Sequence, residues 1–263
     1  MSTELPAGSL EPELLGQAAL VTGGARGIGF EVARSLARQG ANICLVDVID
    51  GAEAVEQLQE EFPTIKIMAL AVDVRERAQV QDALKRTADE FGRIDIVVNN
   101  AGTCARVSLE EIDVETWERD IQTNLRGTFL MTQAAIYPYM RDQGYGRIVN
   151  VSSISGIMGG PSVNGETGSR SGPAYAASKG GVIALTKWVA KEVGALGITC
   201  NSVAPGPIAT PMTASSEYPL DNQAVKRMGQ PQDIAEAVAY LASPRAGFVT
   251  GDVLKVCGGS AIG

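Results

Sequence analysis

The chain has 263 residues, 45% of them hydrophobic, which is enough to bury the core of one large α/β domain or two small ones. Its formal net charge of −8, without a basic run, disfavours nucleic acid or an anionic membrane as a partner. Histidine is absent, which excludes Ser-His-Asp and Cys-His catalysis and removes the commonest ligand of catalytic zinc, so we expect no metal site.

Residues 1–15 predict a flexible leader. They include two prolines and three glutamates, and they lack the basic and apolar regions of a signal peptide. No run of about 18 apolar residues occurs, so no membrane helix is expected. The four cysteines are scattered without a C-x-x-C pair, which is typical of buried thiols in a reducing compartment, and we expect a cytoplasmic protein.

From residue 16 onward, short apolar runs alternate with longer helical patterns. The apolar runs predict seven strands, at 18–22, 42–47, 65–73, 94–100, 147–153, 198–205 and 252–259. Helical patterns lie between them, at 30–39, 52–62, 77–91, 114–142, 174–196 and 232–242. Continuously apolar strands indicate burial on both faces, as in a parallel sheet. We therefore predict one α/β domain over residues 16–263, a doubly wound Rossmann-type fold with a seven-stranded parallel sheet and helices on both faces.

The first predicted strand leads directly into TGGARGIG at residues 22–29, which opens the first helix. Gly23, Gly27 and Gly29 lack side chains, which permits a tight turn and lets a pyrophosphate approach backbone N–H groups. Glycines also punctuate ordinary α/β turns, but the placement between strand and helix favours the phosphate-binding interpretation. We expect this loop, with Arg26 and Ile28, to bind a dinucleotide.

Asp47 ends the second predicted strand and indicates which dinucleotide is bound. An acid at this place accepts hydrogen bonds from the adenosine ribose hydroxyls and repels a 2′-phosphate. Arg26 favours the opposite preference, because a cation in the glycine loop can pair with that phosphate. We expect NAD rather than NADP, since the carboxylate lies at the ribose itself.

Further motifs, in this order, resemble the short-chain dehydrogenase/reductase family over residues 16–260. They include NNAG at 99–102, NLRG at 124–127, VSS at 151–153, YAASK at 175–179 and PGPIATPM at 205–212. The resemblance implies that Asp73 and Val74 contact the adenine. It implies further cofactor contacts from Asn100, Ala101, Gly102, Pro205, Gly206, Ile208 and Thr210, the last two at the nicotinamide carboxamide.

Tyr175 and Lys179 stand four residues apart in a predicted helix, so their side chains project from one face. A free phenol has a pKa of about 10. We expect the neighbouring ammonium, helped by a cationic nicotinamide ring, to favour the phenolate. An ordinary aromatic residue beside a solvated lysine is the alternative. The small residues around the pair indicate close approach of a cofactor instead.

The family resemblance implies a catalytic role for each of four residues. Tyr175 takes the alcohol proton while hydride leaves for the nicotinamide, and Ser153 hydrogen-bonds the same oxygen. Lys179 holds the nicotinamide ribose, and Asn124 organises a water-linked proton relay. Ser155 is the alternative candidate for the serine role, but Ser153 fits the family position better.

Two polar segments are candidate substrate loops. The chain between Ser153 and Tyr175 is longer than in typical family members, and the surplus lies at 162–171. It is either a neutral surface insertion or part of the pocket, with Glu166 or Arg170 contacting a polar or acidic substrate. The segment 213–229 is the second candidate, with Tyr218 and with Met212 and Met228 at or near its ends.

Three functions remain open at this point. The leading one is an NAD-dependent dehydrogenase that interconverts a small-molecule secondary alcohol, polyol or hydroxy acid and its ketone. A 3-oxoacyl-thioester reductase is the alternative, although a net charge of −8 disfavours docking of an acidic acyl carrier. A non-catalytic nucleotide-binding regulator is the third. The resemblance also implies a homotetramer. Trp117 and Trp188 are available for its contacts, although burial in the core is the simpler interpretation of each.

Overall fold

A seven-stranded parallel sheet forms the centre of the molecule. The computed structural model describes residues 12–160, 171–214, 218, 220–221 and 223–262. The strands are β1 Ala18–Thr22, β2 Asn42–Asp47, β3 Ile67–Ala71, β4 Ile96–Asn99, β5 Gly146–Val151, β6 Ile198–Pro205 and β7 Val253–Val256. Their order in the sheet is β3-β2-β1-β4-β5-β6-β7, and each neighbouring pair is parallel. The predicted doubly wound fold is confirmed.

The sheet has a switch point between β1 and β4, which are neighbours in space but not in sequence. Ligands of open parallel sheets bind in the crevice at the carboxyl ends of the strands, at such a point. Val21 of β1 pairs with Val98 of β4, so the glycine loop and the NNAG segment leave the sheet side by side. Two motifs far apart in the chain thereby become one site.

Helices cover both faces of the sheet. They are α1 Gly27–Arg38, α2 Ala52–Glu61, α3 Arg77–Phe91, α4 Val114–Ile121, α5 Gly127–Ala135, α6 Arg141–Gln143, α7 Ser155–Met158, α8 Pro173–Val193 and α9 Pro231–Ala242. On one face, α1 and α9 bury Leu36 and Val238 against the sheet. On the other face, α3, α5 and α8 bury Leu84, Met131 and Val189. The two apolar layers hold the strand ends in fixed positions.

The stretch predicted as one helix over 114–142 is instead an interrupted series. Between α4 and α5 lies a wide, π-helical turn at Gln122–Arg126, and a second lies at Ile136–Met140. Tyr137 has a non-helical backbone, with φ −114° and ψ 112°, directly ahead of Pro138. The prediction of a continuous helix was wrong because apolar periodicity does not register one extra residue in a turn.

The leader predicted over residues 1–15 is only partly described, and its described end is not loose. Leu14 is fully buried in the core beside α1, and its N–H donates to the Gln39 carbonyl over 3.0 Å. Glu13 forms an ion pair of 2.9 Å with Arg245. Residues 12–15 are therefore part of the folded domain, and the predicted boundary at residue 16 was too late.

Helix α8 has one buried face and one exposed face. Ser178 and Lys179 are buried, at 0% and 4% exposure, whereas Trp188 on the outer face is 64% exposed. The expectation that Trp188 lies in the core was wrong, and Trp117 is only half-buried. Although α8 has 21 residues, neither it nor any other described helix combines the length and apolar character needed to cross a membrane.

Candidate active site

The glycine loop is shaped by contacts that leave no room for side chains. Gly23 has φ +63°, and a Cβ there would lie 2.9 Å from Asn100 Nδ2. A Cβ on Gly29 would lie 2.0 Å from the Gly23 carbonyl oxygen, so the start of α1 is pressed against the turn. Ile28 packs against the core, and Arg26 is exposed immediately before α1. The first backbone N–H groups of α1 therefore face the crevice, as phosphate binding requires.

Asn100 and Thr22 hold the two sides of the crevice together. Asn100 Nδ2 donates to the Thr22 and Gly23 carbonyl oxygens over 3.0 and 3.1 Å. The Thr22 hydroxyl oxygen accepts from the N–H groups of Asn100 and Ala101, each over 3.0 Å. The amide predicted to lie along the cofactor thus braces the glycine loop. Thr22 has an equal part, which the sequence analysis did not identify.

Asp47 closes the far side of the glycine loop at the end of β2. Its Oδ2 accepts from the Ala25 N–H over 3.2 Å, and its Oδ1 accepts from the Val48 N–H over 2.8 Å. The carboxylate is therefore fixed by backbone donors beside the loop. Its contact with the adenosine ribose stays a prediction. The carboxylate remains half-buried, with Val48 and Ile49 exposed beside it.

Asp73 and Val74 follow β3 and lie on the same edge of the crevice. The Asp73 carboxylate accepts two hydrogen bonds from Arg75 Nε, each of 2.9 Å, and one from Nη2. These bonds hold the pKa of Asp73 below its ordinary value. Val74 is 6% exposed and packs against Gly127, where a Cβ would lie 2.7 Å from its Cγ2. Arg75 is thus a neighbour of the predicted adenine site that sequence reasoning missed.

The segment after β6 approaches the glycine loop from the opposite side. Gly206 donates to the Val256 carbonyl over 3.0 Å, which fixes the turn that begins at Pro205. Thr210 lies 3.9 Å from where a Gly27 Cβ would stand. Ile208 is buried at 4% exposure and anchors the segment to the core. Because a side chain at Gly27 would project between the two loops, the residues fit a dinucleotide lying there.

Tyr175 and Ser153 meet at the carboxyl end of β5. Tyr175 lies in the first turn of α8 and Ser153 lies two residues beyond β5. The Ser153 hydroxyl is close enough to the phenol to lower its pKa. Ser155, the alternative candidate, instead donates its N–H to Ser153 Oγ over 3.1 Å and accepts from the Ser171 hydroxyl over 3.0 Å. The geometry therefore favours Ser153 as the partner of Tyr175.

The charge balance around Tyr175 differs from the prediction. Burial raises the pKa of the phenol above its ordinary value, Cys104 adds to the rise, and the Ser153 hydrogen bond lowers it by less. The Lys179 ammonium lies 5.7 Å from the centre of the ring. The prediction that Lys179 makes this phenol acidic was wrong for the protein chain, because removal from water outweighs the nearby charges.

Lys179 is held one turn further along α8, at the back of the site. Its Nζ donates to the Val151 carbonyl over 2.8 Å. A Cβ on Gly102 would lie in ordinary contact with that Nζ, at 3.6 Å, and in tight contact with Asn124 Oδ1, at 3.1 Å, so the NNAG segment passes close to both groups. Burial lowers the pKa of Lys179 to about 8. The Lys179 ammonium therefore titrates about one pH unit above neutrality.

Asn124 is fully buried in the wide turn between α4 and α5. Its Oδ1 accepts from the Thr103 N–H over 2.8 Å, and its Nδ2 donates to the Thr103 carbonyl over 2.9 Å and to the Ser178 hydroxyl over 3.0 Å. π-helical turns frequently occur at functional sites. Here the turn directs the Asn124 amide between the NNAG segment and α8.

A cavity of about 200 Å³ opens beside the Tyr175 and Ser153 hydroxyls. Arg106 lines it and donates from Nη2 to the Tyr218 hydroxyl over 2.6 Å. Of the predicted substrate-loop residues, Met212 and Tyr218 line the cavity, whereas Met228 does not. Glu166 and Arg170, and all of the 162–171 insertion except Ser171, lie outside the described residues. Cys104 also lines the cavity, a position that follows from its place two residues after NNAG.

Comparison with known proteins agrees with this site. Residues 23–261 match the family model described as enoyl-(acyl carrier protein) reductase. The chain is 39% identical over 251 residues to the (2S)-[(R)-hydroxy(phenyl)methyl]succinyl-CoA dehydrogenase subunit BbsD of Thauera aromatica, covering 93% of this chain and 96% of that protein. It is 38% identical over 256 residues to the 3-oxoacyl-[acyl-carrier-protein] reductase FabG of Thermotoga maritima, covering 95% and 99%.

The solved structure of levodione reductase is similar throughout. It matches with a TM-score of 0.84 and 33% identity, over 94% of this chain and 98% of that one. Family model, relatives and fold all point to the family indicated by the motifs. The chain belongs to the short-chain dehydrogenase/reductase family and is an oxidoreductase that acts on CH–OH groups with a nicotinamide cofactor.

Proposed function

We propose that the chain interconverts a secondary alcohol and its ketone with NAD, and that Tyr175 is the general acid and base. The observation that carries this proposal is the position of the Tyr175 hydroxyl. It lies with Ser153 in the wall of the cavity, beside the crevice in which the dinucleotide fits, and Ser153 is close enough to lower the pKa of the phenol. An alcohol carbon in this cavity faces one proton acceptor and one fixed hydroxyl.

Each residue of the site has one task in this reaction. When bound, the nicotinamide ring supplies the hydride acceptor, and its positive charge favours the phenolate that the chain alone does not. In oxidation, Tyr175 Oη takes the alcohol proton, and in reduction it returns that proton to the oxygen that becomes the alcohol. Ser153 stabilises the charge that develops on the same oxygen. Lys179 binds the nicotinamide ribose, and Asn124 orders the proton path behind it.

The preference for NAD over NADP rests on Asp47. Three backbone N–H groups, of Ala25, Val48 and Ile49, hold its carboxylate beside the glycine loop, and a 2′-phosphate in that place would meet a like charge. Arg26 is exposed at the start of α1, where solvent screens its charge. The balance of these two charges therefore favours NAD.

Two substrate classes are supported by different observations. The cavity of about 200 Å³ suits a small alcohol or hydroxy acid, which is the first candidate. The second is an acyl thioester, because the named activities of two relatives concern acyl groups carried by coenzyme A or an acyl carrier protein. An acidic acyl carrier would dock on basic side chains of this surface. Arg119 is already paired with Asp120, whereas Arg126 is exposed.

A substrate screen followed at the absorbance of the reduced cofactor tests these proposals. It pairs small secondary alcohols, polyols and hydroxy acids, and then 3-oxoacyl thioesters, with NAD and with NADP. Turnover of a small alcohol with NAD supports the first candidate, and turnover confined to thioesters supports the second. Nucleotide binding without any turnover across both classes would favour the third function, a non-catalytic regulator.

Matched serine variants test the assignment within the site. Ser153→Ala removes the hydroxyl that lies beside the Tyr175 phenol in the cavity wall and should lower kcat by about 10²-fold. Ser155→Ala should cost much less, because Ser155 bonds Ser171 and the Ser153 oxygen rather than the phenol. Equal losses in the two variants would contradict the assignment.

We also propose a homotetramer, in the cytoplasm. The outer faces of α4, α5 and α8 expose large apolar side chains, namely Val114, Phe129 and Trp188 at 77%, 39% and 64%. Exposed apolar groups of this kind favour contacts between copies. Size-exclusion chromatography with light scattering measures the assembly, and a monomer at micromolar concentration would contradict it. The cytoplasmic location remains a prediction from the scattered cysteines.

A further inference from the structure

A carboxylate lies fully buried behind the active site. Asp120, at the end of α4, has 0% exposure. Its Oδ2 accepts from the Ala105 N–H over 2.8 Å, and its Oδ1 accepts from the Thr103 hydroxyl over 2.8 Å. The Arg119 guanidinium donates to the same Oδ1 over 3.1 Å from a half-exposed position. Burial of a carboxylate costs free energy, which these three donors offset. Their presence indicates that the buried charge has a role in the protein.

The segment that Asp120 holds leads directly to the site. Thr103 is bonded at its hydroxyl to Asp120, and at its N–H and carbonyl to the Asn124 amide. Asn124 then donates to Ser178 on α8, one residue before Lys179. Cys104, between the two anchored residues Thr103 and Ala105, lines the substrate cavity. Asp120 is therefore connected through Thr103 to the Asn124 amide, and through Thr103 and Ala105 to Cys104 in the cavity wall.

The charges around Lys179 come from three elements. Tyr175 faces it from its own helix, Cys104 from the segment after β4, and Asp120 from α4. Val151 contributes only a carbonyl. Arg119 faces Asp120 from the solvent side, where its charge is screened. Asp120 is the carboxylate among these groups, and in a medium of low dielectric its charge is felt at Lys179.

We propose that Asp120 is a positioning residue of this active site, which anchors residues 103–105 against Asn124 and places a negative charge behind the Lys179 ammonium. The proposal rests on the proposed function, in which that ammonium binds the nicotinamide ribose. Asp120 itself touches neither substrate nor cofactor. It acts through the segment that it anchors and through its charge.

The titration of the neighbouring groups agrees with this arrangement. Burial lowers the pKa of Lys179 to about 8, while the charges of Cys104 and Asp120 oppose that fall. Burial likewise raises the pKa of Cys104, the charges of Arg106 and Lys179 oppose that rise, and the charge of Asp120 adds to it. Removal of the Asp120 charge should therefore lower both pKa values. The ammonium would then be lost at a lower pH.

Asp120→Asn tests the charge with little change of shape, since the amide oxygen can still accept from Ala105. The alkaline limb of the kcat/KM profile should move to lower pH by about half a unit to one unit. Arg119→Gln is the matched variant with the opposite sign. It removes the positive partner of Asp120 but leaves the carboxylate charged, so the alkaline limb should move slightly to higher pH. Thr103→Val loosens the anchor but keeps the charge, so the limb should stay in place while KM rises.

Alkylation of Cys104 gives a readout that does not depend on turnover. The rate of iodoacetamide labelling of the Cys104 peptide is followed against pH by mass spectrometry. The pH midpoint of labelling should fall in Asp120→Asn and rise slightly in Arg119→Gln. If residues 103–105 were merely loosened, the labelling rate would instead rise at every pH. If Asp120→Asn does not fold, Arg119→Gln carries the same test.

The outcomes separate this inference from the proposed function. Shifted Cys104 midpoints with no turnover in any variant or in the wild type would support Asp120 and contradict the function. Normal turnover with unmoved midpoints and an unmoved alkaline limb in both Asp120→Asn and Arg119→Gln would overturn the role of Asp120 and leave the function intact.

Discussion

The two sides of the crevice are built in different ways. On the nucleotide side, the glycine loop is shaped by backbone contacts so close that Gly29 has no room for a Cβ, and Asn100 bonds carbonyl oxygens. On the reacting side, Tyr175, Lys179 and Asn124 come from α8 and from the turn after α4, and they contribute polar side chains. Lys179 donates to the Val151 carbonyl, and Asn124 bonds the Thr103 backbone and the Ser178 hydroxyl. The first side works through shape and the second through charge in a buried place. Substitutions should therefore fail in different ways on the two sides.

The largest effect is expected at the reacting side. Tyr175→Phe keeps the ring and removes the proton acceptor, so kcat should fall by about 10²- to 10⁴-fold. Binding of the nucleotide, measured by calorimetry, should change little, because the glycine loop is untouched. Tyr240→Phe, on the partly exposed face of α9, is the control. Turnover near the wild-type rate in Tyr175→Phe would remove the distinction between the two sides.

Because the Lys179 ammonium is buried, it should make the free energy of unfolding depend on pH. Its pKa is about 8 in the folded chain against 10.5 for a free lysine, so between these values the unfolded chain binds more protons. The contribution of Lys179 to stability therefore rises with pH across that window, by roughly 3 kcal/mol in total. Lys179→Met should lack this rise, and exposed Lys187→Met on the same helix should keep it. Urea unfolding at pH 7 to 10.5 measures it, and a pH-independent difference between wild type and Lys179→Met would refute it.

On the nucleotide side, shape should matter more than charge. Gly29→Ala places a Cβ 2.0 Å from the Gly23 carbonyl, so the loop must shift. We expect a loss of about 1–3 kcal/mol in stability and weaker nucleotide binding. Gly194→Ala, where no atom lies within 4 Å of the added Cβ, is the control. Thermal unfolding with and without NAD measures both effects, and wild-type stabilisation by NAD in Gly29→Ala would contradict this account.

The smallest effect is expected at Asp47, the point where charge does act on the nucleotide side. Asp47→Asn keeps the shape and one acceptor oxygen, for either the Ala25 or the Val48 N–H group, but removes the charge. The ratio of kcat/KM for NAD over NADP should fall by roughly tenfold, about 1.4 kcal/mol. Asp50→Asn, an exposed neighbour, should leave the ratio in place. An unchanged ratio in Asp47→Asn would mean that Asp47 does not read the ribose.

How far the sequence could predict the site follows from the same contrast. The nucleotide side was predictable because its parts are local: β1, β2 and β6 have the predicted bounds, and each carries its motif at its end. On the reacting side, Asp120 was missed because a polar residue inside a helical pattern does not indicate its burial, and Thr103 because a polar residue after the NNAG motif does not indicate its partners. The wide turn at Gln122–Arg126 was missed for a related reason, because one extra residue barely alters the apolar period.

The wide turn at Gln122–Arg126 also sets how this stretch tolerates the loss of a residue. A residue beyond the regular α-helical count stands there, so α4 and α5 are out of phase by about 100° relative to a continuous helix. Deleting one residue inside this stretch would restore the regular count, rotate one helix against the other and misdirect Asn124.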